Sequence, residues 1–463
     1  MMSLAQGGDK VNEQRAELYK ESLRPQFHFT GRYWNNYKPN PQQGQEGWIN
    51  DVNGLVYYGG EYHLFAQQWG RCWIHAVSKD LLHWNQLPPI LLEDAKFGWS
   101  ASGSAFVDWR NTSGLQTGKE HVLVAFYTGW NPKAQCMAYS NDKGRTWTKY
   151  DKNPVLACQD RSPKEDRDPK VFWYEPHKKW IMVLYVNPGY MFFSSNDLKV
   201  WEKLSESGGF YECPDMFPLP LDGDPKRLKW VLVNGDGSYV VGEFDGVKFT
   251  PETKRCRNDW GPHFYATQTW SDMPATDGRR IQIAWMRGGA YPDMPFNQQL
   301  TFPCELTLRT LADGMRMCRY PVKEIGKLHS DEFVLSDRIL KPGENPLATI
   351  NGELFDIAVE IDISKSDCKE LVFDVRGNLV KYTASNNQLD ACGARVELKP
   401  RAGMLQLRIL VDRMSVEAFG NQGEVSITSV ARAKESKPAL SLRALGGDVF
   451  VKSLAVHELK SIW

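Results

Sequence analysis

An excess of charge of either sign is missing from this 463-residue chain: 56 lysines and arginines balance 56 aspartates and glutamates. That excludes the basic footprint that nucleic acid demands and the acidic block of a solvating tail. No C-x-x-C pair occurs among the nine cysteines, which removes a zinc knuckle or dithiol redox motif. Their odd, scattered set suits free, buried thiols better than a disulfide scaffold. No run of 18 apolar residues exists to cross a membrane, and "MMSLAQGGDKVNEQRAELYKESL" has no apolar core of signal-peptide length. The chain is expected to be soluble, either cytoplasmic or secreted after loss of a signal peptide, with neither nucleic acid nor membrane as partner. A G-x-S-x-G elbow, an H-E-x-x-H helix, a P-loop and a dinucleotide glycine motif are also lacking.

Aromatic residues, by contrast, are plentiful, at 12% with 17 tryptophans. Most would pack a core, but flat rings also stack on the apolar faces of sugars. After a polar arm over residues 1–23, short runs such as "HVLVAFYTGW", "KWIMVLYV", "KWVLVNG" and "RRIQIAWM" alternate with Gly, Asn, Asp and Pro turns, which reads as all-β. A repeat is present. "SKDLLHW" ends at Trp84, "SNDKGRTW" at Trp147, "SNDLKVW" at Trp201 and the weaker "FDGVKF" at Phe249, at intervals of 63, 54 and 48 residues. In each, an aspartate (Asp80, Asp142, Asp197, Asp245) leads the aromatic, as a hairpin between outer strands of a sheet requires. Units of this length fit four-stranded propeller blades, and residues 24–320 have room for five. "SNDKGRTW" also fits the S-x-D-x-G-x-T-W turn of sialidases, a structural hairpin without chemistry of its own. Residues 321–344 read as a linker with a short helix, and 345–463 as a β-sandwich. The expected fold is thus a five-bladed β-propeller followed by a C-terminal β-sandwich, which brings acids distant in sequence to one channel.

Three acids sit among turn and apolar residues rather than on a charged face: Asp51 in "WINDVNG", Asp168 in "DRDPKVFW" and Glu212 in "YECPDMF". Each alone also reads as a turn or salt-bridge residue. Together, in an aromatic-rich propeller, they match the paired carboxylates of glycosidic-bond cleavage, where one attacks or stabilises and one protonates the leaving oxygen. Burial would raise the pKa of the acid that must hold a proton near neutrality.

The blocks "RPQFHF", "WINDVNG", "YHLFAQQ", "HAVSKDLLHW", "SGSA", "RDP", "ECPD", "FYATQTW", "AWM", "NQQLTFPCELTL" and "VDRMSVEAFG" follow one another over about residues 24–460. In this order they resemble glycoside hydrolase family 32, the invertases, inulinases, levanases and related fructosyl enzymes. That resemblance implies a propeller followed by a sandwich, and a retaining cleavage of terminal β-D-fructofuranosyl bonds in fructans or sucrose. Asp51 would be the nucleophile, Glu212 the acid/base and Asp168 the transition-state stabiliser, with no cofactor and no metal. Retention requires the two reacting carboxyls to sit roughly 5–5.5 Å apart. Asn50 would hold Asp51 while Trp48 walls the pocket, and Arg167 would fix its neighbouring acid. Gln67 and Ser104 match polar positions around the sugar, and Trp99 and Trp285 match walls. A fructosyltransferase of the same family, such as a levan fructotransferase, and a non-catalytic fructan-binding protein are the alternatives. Presence of all three acids disfavours the second.

The chain departs from the family pattern at Val52, where the turn usually has proline, and at Ala66 and Ala101, where aromatics are common. The loop from Gln68 to Trp73 is short, residues 30–46 are inserted, and His263 replaces an acid expected near Glu212. These changes gather at the pocket mouth, so they bear on the leaving group and leave the three acids untouched.

Overall fold

Short runs of β-branched and aromatic residues, cut by Asp, Asn and Gly, fold among the described residues into strands and four short 3-10 segments. The computed structural model describes residues 19–32, 47–68, 71–159, 164–434 and 438–463. Most of the polar arm and of the 30–46 insertion therefore lies outside the described residues.

Five four-stranded antiparallel sheets follow in sequence order. Their innermost strands are Val52–Tyr58, Ser100–Asp108, Arg167–Tyr174, Asp215–Pro220 and Tyr265–Thr269. The second blade gains a short extra pairing from Leu156–Ala157. The ring closes between the fifth and first blades, where Ser271 N–H donates to Leu55 O at 2.9 Å and Tyr57 N–H to Ser271 O at 3.0 Å. Between the third and fourth blades a buried Lys170–Asp215 ion pair at 2.9 Å joins the inner strands.

The aspartate–aromatic repeat is the hairpin between the third and fourth strands of four blades. Asp80, Asp142, Asp197 and Asp245 each accept backbone N–H bonds from the turn that follows. Trp84, Trp147 and Trp201 donate their indole N–H to the carbonyl three residues earlier, at 3.1, 3.0 and 3.1 Å. One local solution is thus used repeatedly, which is why the spacing could be read.

A six-stranded and a five-stranded sheet then face each other across an aliphatic core containing Leu340, Ile357, Phe373, Leu407, Ile427 and Leu454. The linker expected over 321–344 is corrected here. Lys323–Leu328 is a 3-10 turn, but His329–Leu340 is an edge strand of the six-stranded sheet, paired with Val449–Leu459. Most of its side chains are exposed, so Ser and Asp dilute the alternation that marks a half-buried strand.

The segment "RPQFHF" ties propeller to sandwich. Gln26 and Phe27 N–H groups reach Asp412, and the buried His28 ring bonds Asp412 and Glu417 at 2.8 Å each. Glu417 also accepts from Arg319 at 3.1 Å. Burial alone would push the His28 imidazolium down, but the two carboxylates outweigh it and raise its pKa from 6.5 to about 9. The stabilisation from this raised group is complete below about pH 6.5 and is lost as pH rises through 9. His28→Gln should therefore cost about 3–5 kcal/mol near pH 6. That deficit should shrink in thermal melts toward pH 9.5; a deficit independent of pH would refute a charged His28.

Candidate active site

Asp51 stands just before the inner strand of blade one, where sequence-adjacent groups aim it. Trp48 Nε1 donates to Asn50 Oδ1 at 3.2 Å, and Asn50 Nδ2 faces Asp51 Oδ1 at 3.4 Å. Gln67 N–H donates to Asp51 O at 2.8 Å, which fixes the backbone. Its side-chain amide and the Ser102 hydroxyl then reach Asp51 Oδ2 at 3.1 and 2.8 Å. Three residues after Asp51, Gly54 has φ +55°, and a Cβ there would lie 3.0 Å from Phe65 and Trp73, so the "NG" of the motif is a packing requirement. Burial pushes the Asp51 carboxyl up, Ser102 pulls it back, and the charge of Glu212 raises it again.

Asp168 and Glu212 arrive from the third and fourth blades on strained backbone. Asp168 has φ +65°, Glu212 +30° and Cys213 +45°. Cys213 N–H donates to Asp168 Oδ2 at 2.9 Å, and its thiol lies 3.6 Å from that oxygen and 3.7 Å from Asp51 Oδ2. Burial, then the Asp51 charge, lifts the Asp168 pKa to about 7, with Arg167 opposing. Arg167 donates through Nε and Nη2 to Glu212 Oε2 at 3.1 and 2.9 Å, while the Tyr265 hydroxyl bonds the other oxygen. Irregular pairing interrupts the inner strands at 53–56, 100–103, 167–170 and 265–268. Such bulges turn side chains out of the regular alternation toward a site. Bends of this kind occur in blades one, two, three and five, while Glu212 of blade four is turned inward by the positive φ of Glu212 and Cys213.

The cavity holds about 330 Å³ and is lined by Asp51, Asp168 and Glu212 together with Asn50, Gln67 and Arg167. Trp48, Trp99 and Trp285 form walls, as the sequence reading expects. Ala101, expected at the pocket mouth, lines it as well, and so does Trp130, which was not anticipated. Trp99 and Trp130 stack at 6.3 Å and remain 42% and 37% exposed, so they form an open lip.

Two expected residues belong elsewhere. Ser104 is buried and bridges blades two and three, donating to Pro169 O at 2.8 Å and accepting from Val171 N–H. The bulge at 100–103 presents Ser102 instead, a shift by one alternation that a motif match cannot detect. His263 does not line the cavity. Its Nδ1 accepts from Val430 N–H of the sandwich at 3.1 Å, and burial lowers its pKa. Tyr265, two residues on, is the side chain of that segment that reaches Glu212. A larger concavity of about 600 Å³ lies at the opposite ends of the inner strands, away from the acids. Its Arg110–Glu175 and Lys170–Asp215 pairs compensate each other.

Two family models match the chain. Glycosyl hydrolases family 32 N-terminal domain covers residues 42–321, and Glycosyl hydrolases family 32 C terminal covers 327–458. A levanase of Bacillus subtilis (strain 168) is 40% identical over 97% of this chain and 72% of its own. A levanase of Bacillus sp. (strain L7) is 35% identical over 97% of this chain, which spans 53% of that relative. The crystal structure of an exo-inulinase from Aspergillus awamori superposes with a TM-score of 0.83 at 28% identity, covering 96% of this chain and all of that one.

Proposed function

This chain belongs to glycosyl hydrolases family 32, and from that premise we propose that it is a retaining β-fructofuranosidase. It releases terminal β-D-fructofuranosyl units from levan- or inulin-type fructans and from sucrose. The observation that carries this reading is the meeting of Asp51, Asp168 and Glu212 from three blades in one tryptophan-walled cavity.

In the first step an Asp51 oxygen attacks the anomeric carbon of the fructosyl ring as the bond to the leaving oxygen breaks, and Glu212 gives that oxygen its proton. In the second, water attacks the same carbon and passes a proton back to Glu212, which frees Asp51. The nucleophile must be ionised in a partly dry pocket, and Ser102, Gln67 and Asn50 supply the donors that permit it. The crowding of the acids serves the same chemistry. Burial and mutual repulsion raise the pKa values of Asp51 and Asp168, and a positively charged oxocarbenium-like ring relieves that repulsion as it forms. Asp168 bonds sugar hydroxyls more strongly at that point, which lowers the barrier rather than merely binding substrate.

Incubation with sucrose, inulin and levan, with products resolved by chromatography, tests the reading. Free fructose from a fructan, and equal glucose and fructose from sucrose, are expected. Glucose in excess of fructose, with longer oligomers appearing, would identify a transferase instead. No product from any of the three would sink the proposal.

A further inference from the structure

Arg167 is shared among three carboxylates, Glu212, Asp168 and Glu165, and only Glu165 lies outside the reacting set. Its Nη1 donates to both the carbonyl and the carboxylate of Glu165 at 2.9 Å, opposite the edge that grips Glu212. The same Glu165 oxygen accepts from Lys133 Nζ at 2.8 Å. Lys133 lies under the lip, 4.2 Å from the centre of the Trp130 ring. A chain of contacts thus runs Trp130, Lys133, Glu165, Arg167, Glu212. Lys133 and Arg167 hold the Glu165 carboxyl below its ordinary range, so it is ionised wherever the enzyme would work.

We propose that Glu165, with Lys133 behind it, is a positioning residue that sets how strongly Arg167 holds the carboxylate of Glu212. It touches neither cavity nor substrate and acts through the guanidinium. Other groups facing Glu212 are Tyr265 on Oε1 and, at longer range, Asp51, Asp168 and Cys213. Arg167 is further flanked by the Tyr185 ring at 4.6 Å, the Tyr211 ring at 5.4 Å and Asp168 at 3.8 Å. Behind Tyr265 stands Arg287, at 4.9 Å from its ring. None of these would change in a Glu165 or Lys133 variant. Loss of the Glu165 charge leaves Arg167 to Glu212 and Asp168, which stabilises ionised Glu212. Loss of the Lys133 charge turns Glu165 more fully toward Arg167 and does the reverse.

The inference rests on Glu212 being the acid/base, and the test separates the two. In pH profiles of kcat/KM with sucrose, Glu165→Gln should move the basic limb down by roughly 0.3–0.5 pH unit. Lys133→Met should move it up by a similar amount, and the double variant should return it near wild type. These opposite signs are what a merely structural role would not produce. Both single variants shifting in one direction, or neither moving while Glu212→Gln abolishes the limb, would overturn the proposal. Persistence of the limb in Glu212→Gln would instead overturn the reading of Glu212.

Discussion

Asp51→Asn should lose about 10⁴–10⁶-fold in turnover of sucrose and fructan while remaining folded. The substitution keeps the shape and leaves one oxygen to accept from Gln67 and Ser102. It puts an amide N–H opposite Asn50 Nδ2, but that contact is already long at 3.4 Å. What disappears is the negative charge that forms the covalent bond. Stability should move the other way. The folded-state pKa of Asp51 is raised, so its ionised form opposes folding, and more so as pH climbs above its ordinary range. A neutral amide removes that penalty, and the repulsion on Asp168 falls with it. The thermal midpoint of the variant at pH 7 should equal or exceed that of wild type, as is common where an active site trades stability for function. Near-normal activity on a fructan would refute the assignment. A variant that is inactive but also poorly folded would show that Asp51 was structural.

The propeller was legible because its blades repeat one local bargain. An aspartate closes a hairpin and an aromatic indole ties it from the far side, three times with the same N–H to carbonyl bond. Nothing comparable marks His329–Leu340, an edge strand whose exposed side chains carry no alternation. The three acids were legible for a related reason: each stands beside residues that fix backbone, Asn50 and Gly54, Pro169, or Cys213 and Pro214. Their partners were harder to find. Ser102 rather than Ser104 reaches Asp51 because the inner strand is irregular at 100–103, and a bulge leaves no unambiguous trace in residue type. Tyr265 displaced His263 in the same way, beside the irregularity at 265–268 and the positive φ of Ala266. Trp130 and Lys133 come from a hairpin end in the second blade, and only the stacking on Trp99 makes them part of the mouth. The sequence motifs located the three acids that meet in the cavity; the bends that aim their neighbours are a property of the sheet.

The second large effect concerns Glu212→Gln, and its size should depend on what is leaving. Proton donation contributes about 10²–10⁴-fold where the departing oxygen is a sugar hydroxyl. Sucrose and fructan should lose that much in kcat/KM. An aryl fructoside with an acidic phenol needs little protonation, so its kcat/KM should fall by less than about tenfold. Its kcat should fall much further, because the same residue takes a proton from water in the second step. The fructosyl-enzyme should then accumulate, giving a burst of phenol followed by slow turnover. The neutral amide should still sit between Arg167 and Tyr265, its oxygen accepting from Arg167 and its N–H donating to the Tyr265 hydroxyl oxygen. Arg167 also keeps Glu165, so the guanidinium is not left unpaired. The basic limb of the pH profile should vanish, because no proton remains to be lost at that position. Equal losses on aryl and natural substrates, without a burst, would mean that Glu212 orients the sugar and the proton comes from elsewhere. Asp168, lifted to about 7 in the same cavity, would be the next acid to test.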